Sequence, residues 1–121
     1  MEDAAWPVDY TDEFEGWWTT LGEAGQIAVA AHVGELERRG PNLPFPYSSK
    51  VVGSRHGNMR ELRIQQGGRP LRVFYALDPK RRAILLLGGD KTGDARFYER
   101  CVPIADEIYD RHLAEIAGEE P

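Results

Sequence analysis

Arg60, Arg63, Arg69 and Arg72 crowd one short stretch of a 121-residue chain, on or beside segments whose other residues are built to be buried. A guanidinium stays charged and presents a planar fork of donors that matches phosphate oxygens. A buried sheet has no need of so many cations unless one face meets an anion. Arg63 and Arg72 flank Gln66-Gly67-Gly68, which can turn the chain at positive φ. If the flanking segments pair as a hairpin, both arginines reach one phosphate. The competing reading for both is an ion pair with Glu61 or with acidic helices, and it is the stronger rival for Arg63. Lys91 follows an apolar run and falls at a sheet edge, where loops carry function. Asp90 beside it serves as a turn residue, a partner for an arginine or a proton acceptor. Tyr98 reads as core packing or, more sharply, as a residue that stacks on a ligand or moves a proton.

Other reactive residue types carry less. His56 sits in a loop between Arg55 and Gly57, and His32 and His112 fall on helices. No two histidines have metal-ligand spacing with a carboxylate, so no metal and no cofactor is expected. GGDKTGDAR lacks the spacing of a Walker loop. Cys101 has no base near it in sequence and reads as a buried thiol.

The elements that must position these residues follow from periodicity. Met59–Gln65 alternates, with Leu62 and Ile64 on one side and Glu61, Arg63 and Gln65 on the other. Leu71–Leu77 is β-branched and aromatic, and Asp78-Pro79-Lys80 ends it. Ala83–Leu87 is an apolar run of the kind covered on both faces. Gly88–Asp94 is expected to be a turn-rich link. Upstream, Trp6, Val8 and Tyr10 alternate as a short strand, and Pro7 favours a sheet edge. Thr11 or Asp12 can cap a helix in which Phe14, Trp17, Trp18 and Leu21 make one stripe, ended by Gly22. A second helix spans Glu23–Arg39, with Ile27, Ala30, Ala31 and Leu36 inward, and Gly40-Pro41 stops it. Asn42–Ser49 is irregular and pinned by Phe45 and Tyr47. Lys50–Val52 is extended and Gly53–Asn58 a loop. Phe97–Arg100 is a single helical turn, and Pro103 starts the last helix, with Ile104, Ala105, Ile108, His112 and Ile116 inward and the final GEEP frayed.

The length fits a single domain, 1–121, and 41% hydrophobic content supports a packed core. No apolar run approaches membrane-spanning length. The N-terminus is acidic and lacks the basic-then-apolar pattern of a signal region. One cysteine excludes a disulfide framework. Cytoplasmic residence is the default. The net charge of −5 argues against nucleic acid at first, yet it is unevenly spread. Lys50–Arg100 holds 12 Lys/Arg and 5 Asp/Glu, a balance of +7; the remainder holds 3 and 15, a balance of −12. That split points to a basic working face with acidic helices around it.

ELRI at Glu61–Ile64, LRVFYAL at Leu71–Leu77 and ILLLGGDKT at Ile84–Thr92, followed by a final helix, resemble the RelE/ParE toxin superfamily, and most of all its HigB-like branch. The order and spacing carry the resemblance over nearly the whole chain. It implies an α+β fold: two N-terminal helices packed on a small twisted, mostly antiparallel sheet, with a C-terminal helix. It also implies the toxin of a type II toxin–antitoxin pair, a metal-independent, ribosome-dependent endonuclease that cuts mRNA. On that pattern Arg72 contacts the scissile phosphate, Arg63 matches the arginine of the preceding strand, Lys91 is the basic residue after the apolar strand, and Tyr98 lies near a C-terminal tyrosine. Lys50, Arg55, His56, Arg60 and Arg69 would bind the RNA. The chain departs from RelE on the strand before the turn, where RelE carries lysines at positions that fall near Met59 and Glu61 and this chain has none. The implied partners are the ribosome, mRNA and a cognate antitoxin with a helix-turn-helix domain. The ParE branch shares the fold and inhibits DNA gyrase without cutting RNA, which leaves a non-enzymatic toxin as the alternative, beside a non-toxic phage-derived binding module.

Overall fold

The computed structural model describes residues 5–119. Its elements are β1 (Val8–Tyr10), α1 (Asp12–Trp18), α2 (Glu23–Arg39), β2 (Ser48–Lys50), β3 (Met59–Gln66), β4 (Arg69–Leu77), β5 (Ala83–Asp90) and α3 (Phe97–Glu119). One sheet runs β1-β5-β4-β3-β2, antiparallel except for the parallel β1–β5 pair at its edge. This is the expected α+β arrangement. The sheet has a core on each face. Leu62, Ile64, Leu71, Val73, Tyr75, Ala83 and Leu85 pack with Phe14, Val29 and Leu36 of α1 and α2. Met59, Phe74, Ala76, Ile84 and Leu86 pack with α3 on the other side. The period-2 alternation of the strands sorts these two sets.

The hairpin at the centre is fixed by its turn. Gly67 and Gly68 take φ of 59° and 78°, the paired positive values of a two-residue turn whose twist matches the strands. The strands run longer than expected: β4 opens at Arg69, and β5 passes through Gly88 and Gly89 to Asp90. Those two glycines are strand residues, not a link, because neighbouring side chains occupy the space above them. A Cβ on Gly88 would lie 2.1 Å from the Trp17 ring, and one on Gly89 would lie 2.7 Å from the Phe97 ring. The bare backbone of β5 thus admits α1 on one face and α3 on the other.

Several expectations need correction. Thr11 caps α1 by accepting from the Phe14 N–H at 3.1 Å, but the helix ends at Trp18, so Leu21 falls outside it and Gly22 caps α2 instead. In α2 the inward stripe is Gly25, Val29 and Leu36, while Ile27 is 63% exposed and Ala30 and Ala31 also face outward. Both stripes satisfy helical spacing; the one that meets Leu62 and Ile64 of the sheet is the one buried. Phe45 and Tyr47 do not pin their segment inward but remain exposed. α3 is one helix from Phe97, with Pro103 inside it. Phe97, Cys101, Ala105 and Ile108 carry a continuous buried stripe through the proline, and that packing outweighs the hydrogen bond it lacks. Ile104 lies off this stripe and is exposed. Gly118 and Glu119 are still helical; residues 120 and 121 of the expected frayed tail, and residues 1–4 of the acidic N-terminus, lie outside the described residues.

A buried carboxylate ties the β4–β5 turn to α3. Asp78 Oδ1 accepts from the backbone N–H groups of Lys80 and Arg82 at 2.9 and 3.0 Å. Its Oδ2 accepts from Arg82 Nε and Nη2 at 3.1 and 2.9 Å and lies 2.9 Å from His112 Nε2. Burial pushes this carboxyl up, but the bonds from His112 and Arg82 outweigh it and hold the group below its ordinary value. A carboxylate depressed on folding stabilises above its unfolded pKa, and that contribution is lost as the pH falls through the lower folded value. Asp78→Asn is expected to cost about 3 kcal/mol at neutral pH. Thermal unfolding against pH should show the gap between wild type and variant shrinking below about pH 4. Gly88→Ala is expected to destabilise by about 2 kcal/mol or more, read as a lower denaturant midpoint, because Trp17 must move.

Candidate phosphate-binding site

The turn sets a register in which Arg63 and Arg72 are direct cross-strand partners. Both therefore stand on the α3 face of the sheet, as the alternation of β3 requires. Like charges placed opposite one another repel, and the two side chains are held apart by different neighbours. The Arg63 guanidinium lies over the ring of Phe45, 5.2 Å from its centroid, and is partly exposed. Arg72 is buried. Its Nε is 3.3 Å from Glu61 Oε1 and donates to the Tyr98 hydroxyl at 3.3 Å, while Nη1 donates to the Leu71 carbonyl at 3.0 Å. Among the described residues Nη2 has no hydrogen-bond partner, which leaves donors for an incoming oxyanion.

Three further residues complete the cluster. Tyr98, at the start of α3, donates to Glu61 Oε1 at 2.7 Å. Its place depends on Gly89, which is opposite Arg72 in β5 and lets Phe97 settle against the sheet. Lys91 Nζ sits 5.0 Å from the centre of the Tyr98 ring. Ser49 of β2 donates to Glu61 Oε2 at 3.2 Å. Glu61 is the residue that sequence reasoning passed over. An ion pair with Glu61 is the competing reading for both arginines and the stronger one for Arg63, whereas the carboxylate pairs with Arg72. The signal was present: alternation puts Glu61 on the face of Arg63 and Arg72, flanked by residues that must be buried. Its carboxylate stands 3.3 Å from Arg72 Nε, so that edge of the guanidinium is occupied while Nη2 is unbonded among the described residues.

The remaining expected cations are elsewhere. Arg60 lies on the other face, donating from Nε to Ser48 Oγ at 3.0 Å, and Lys50 is its exposed neighbour across the β2–β3 pair. Arg69 marks the hairpin tip, bonded to Gln66 at 2.8 Å and 3.6 Å from Asp90. Asp90 caps its own turn, accepting from the Thr92 N–H and hydroxyl, and those bonds hold its carboxyl below the usual range. Arg55 and His56 belong to a separate group. Arg55 pairs with Asp110, and His56 Nε2 is 2.7 Å from the same carboxylate. Asp106 accepts from Ser54 Oγ and from the Arg55 N–H. This loop lies past the Met59–Ala76 pair, four strand positions from Arg72 and about 13 Å along β4. The positive stretch of the sequence is thus partly neutralised by α3 carboxylates, and the cationic groups gathered at one place are Arg63, Arg72 and Lys91. Among the described residues no three His, Cys, Asp or Glu side chains group as a metal site, and no helix is long and apolar enough to cross a membrane.

The fold is shared with a solved toxin. The structure of an Escherichia coli RelE double arginine-to-alanine mutant in the free state matches with a TM-score of 0.58, over 83% of this chain and 98% of that one, at 13% identity. The phage-derived Gp49-like protein family (DUF891) matches residues 16–110, and the chain belongs to it, within the HigB-like branch of the RelE/ParE superfamily. Two relatives from Mycobacterium tuberculosis are similar over most of the chain. The candidate toxin HigB3 is 40% identical over 107 residues, 88% of this chain and 92% of the relative. The candidate toxin HigB2 is 35% identical over 122 residues, 99% of this chain but 60% of its own length.

Burial first, and then the hydrogen bond to Glu61, raise the pKa of Tyr98, with Arg72 opposing. In Glu61→Gln the phenol is expected to titrate lower than in wild type. Ultraviolet titration, with Tyr98→Phe subtracted to isolate this tyrosine from the other four, checks the direction.

Proposed function

We propose that this chain is the toxin of a type II toxin–antitoxin pair and acts as a ribosome-dependent mRNA endonuclease. The observation that carries the reading is the cross-strand arginine pair beside a buried carboxylate and a phenol. RNA supplies its own nucleophile, the 2′-hydroxyl. Cleavage requires that its proton leave, that its oxygen attack the neighbouring phosphorus in line, and that the departing 5′-oxygen gain a proton. A phosphate entering beside Arg63 takes the free donors of Arg72 and competes with Glu61 for that guanidinium. Arg63 and Arg72 then hold the charge that grows on the non-bridging oxygens. Glu61, released from Arg72, is the carboxylate within reach to accept the 2′-hydroxyl proton, directly or through the Tyr98 hydroxyl. Lys91, above the Tyr98 ring, is placed to protonate the leaving oxygen.

On this reading the chain acts as one domain, 1–121, in the cytoplasm, with ribosome and mRNA as its working partners. A cognate antitoxin, carrying a helix-turn-helix domain, holds the arginine face out of use. Names of the M. tuberculosis relatives and the RelE-like fold support the toxin assignment.

Arg63 is the better probe, because Arg72 also neutralises a buried carboxylate and its loss destabilises the fold. Induced in cells, the wild type is expected to arrest growth and to create new mRNA 5′ ends inside coding sequences. Arg63→Ala, still folded, is expected to cut roughly 100-fold less. Intact transcripts together with a DNA-damage response would replace this reading with gyrase inhibition.

A further inference from the structure

Phe45 is 69% exposed and Tyr47 42% exposed, although both are large aromatics. Pro44 and Pro46 restrict the backbone around them, so the rings are displayed with little freedom left to lose. Tyr47 lines a groove of about 310 Å³ together with His32, Pro46, Arg63, Gln65 and Arg72, and Phe45 stands beside it through its contact with Arg63. The groove therefore opens directly onto the arginine pair. β2 begins only at Ser48, and upstream of the bond from the Arg63 N–H to the Tyr47 carbonyl no further strand pairing among the described residues covers that edge of β3.

The chemistry of the walls is specific. Phe45 already stacks on one cation, Arg63. Tyr47 stands 6.3 Å from the His32 ring, tilted by 59°, and is exposed, so part of its ring is open to a ligand. His32 Nδ1 donates to the Ala28 carbonyl at 3.0 Å, and Nε2 has no hydrogen-bond partner among the described residues. The Gln65 amide offers a donor and an acceptor from the strand. Flat faces with a donor–acceptor edge suit an unstacked nucleobase. A flexible aliphatic chain uses neither feature, and a simple cation uses the faces but not the edge.

We propose that Phe45 and Tyr47 form a nucleobase subsite that grips the base adjoining the phosphate held by Arg63 and Arg72, with Gln65 and His32 facing its edge. This rests on the ribonuclease reading, and the test separates the two. The full-length chain, Phe45→Ala, Tyr47→Leu and Phe45→Trp are induced in cells, and new mRNA 5′ ends are mapped and timed. Thermal unfolding of each purified chain confirms folding, which exposed positions should preserve. Phe45→Ala and Tyr47→Leu are expected to cut about 10-fold more slowly, with base preference beside the cut flattened, and Phe45→Trp to restore both. Wild-type rate and preference in both truncated variants would overturn the subsite while leaving the ribonuclease reading intact. Absence of new ends with the wild type would remove the ribonuclease reading and the subsite with it.

Discussion

Two guanidinium groups set directly opposite each other across an antiparallel pair are the constraint around which this molecule is arranged. Alone the pair would repel, and a slip of one residue in register would send one of them to the other face. The Gly67-Gly68 turn forbids the slip. Glu61 absorbs the charge of Arg72 inside the protein, and Phe45 shields Arg63 at the rim. The two arginines are thereby made unequal. One is buried, oriented by a carboxylate, a phenol and a carbonyl; the other is half open and free of carboxylates among the described residues.

The layers above and below the sheet exist to hold that geometry. β5 passes two glycines beneath two aromatic rings, one from α1 and one from α3. The contact with Phe97 fixes the start of α3, and the next residue, Tyr98, meets both Arg72 and Glu61. At the other end of α3, His112 reaches the buried Asp78 under the β4–β5 turn. The site is thus supported by backbone register on one side and by a helix clamped at two points on the other.

Much of this was legible in the chain. Alternation in Met59–Gln65 placed Glu61, Arg63 and Gln65 on one face, and paired glycines announced the hairpin. The order of strands and helices identified the fold. What escaped had physical causes. Gly88 and Gly89 look like a loop because sequence shows only their freedom, and the rings that demand their smallness come from residues far away in the chain. Helical spacing admitted two faces for α2, and only the sheet decides between them. Arg55 and His56 looked like part of the basic face because Asp106 and Asp110, which claim them, lie about fifty positions downstream. The pairing of Glu61 with Arg72 rather than Arg63 is a matter of side-chain reach across strands, to which periodicity is blind.

Pro103 gives α3 an internal seam. With no N–H at that position, the Glu99 carbonyl lacks its usual donor four residues on. The helix continues through the gap with one rung of its ladder missing. The turns before that gap carry Phe97 and Tyr98, and those after it carry His112 and its anchor. What joins the two across the missing rung is side-chain burial, from Phe97 and Cys101 to Ala105 and Ile108. The phenol at the arginine pair thus owes its position to apolar packing more than to an unbroken run of backbone bonds.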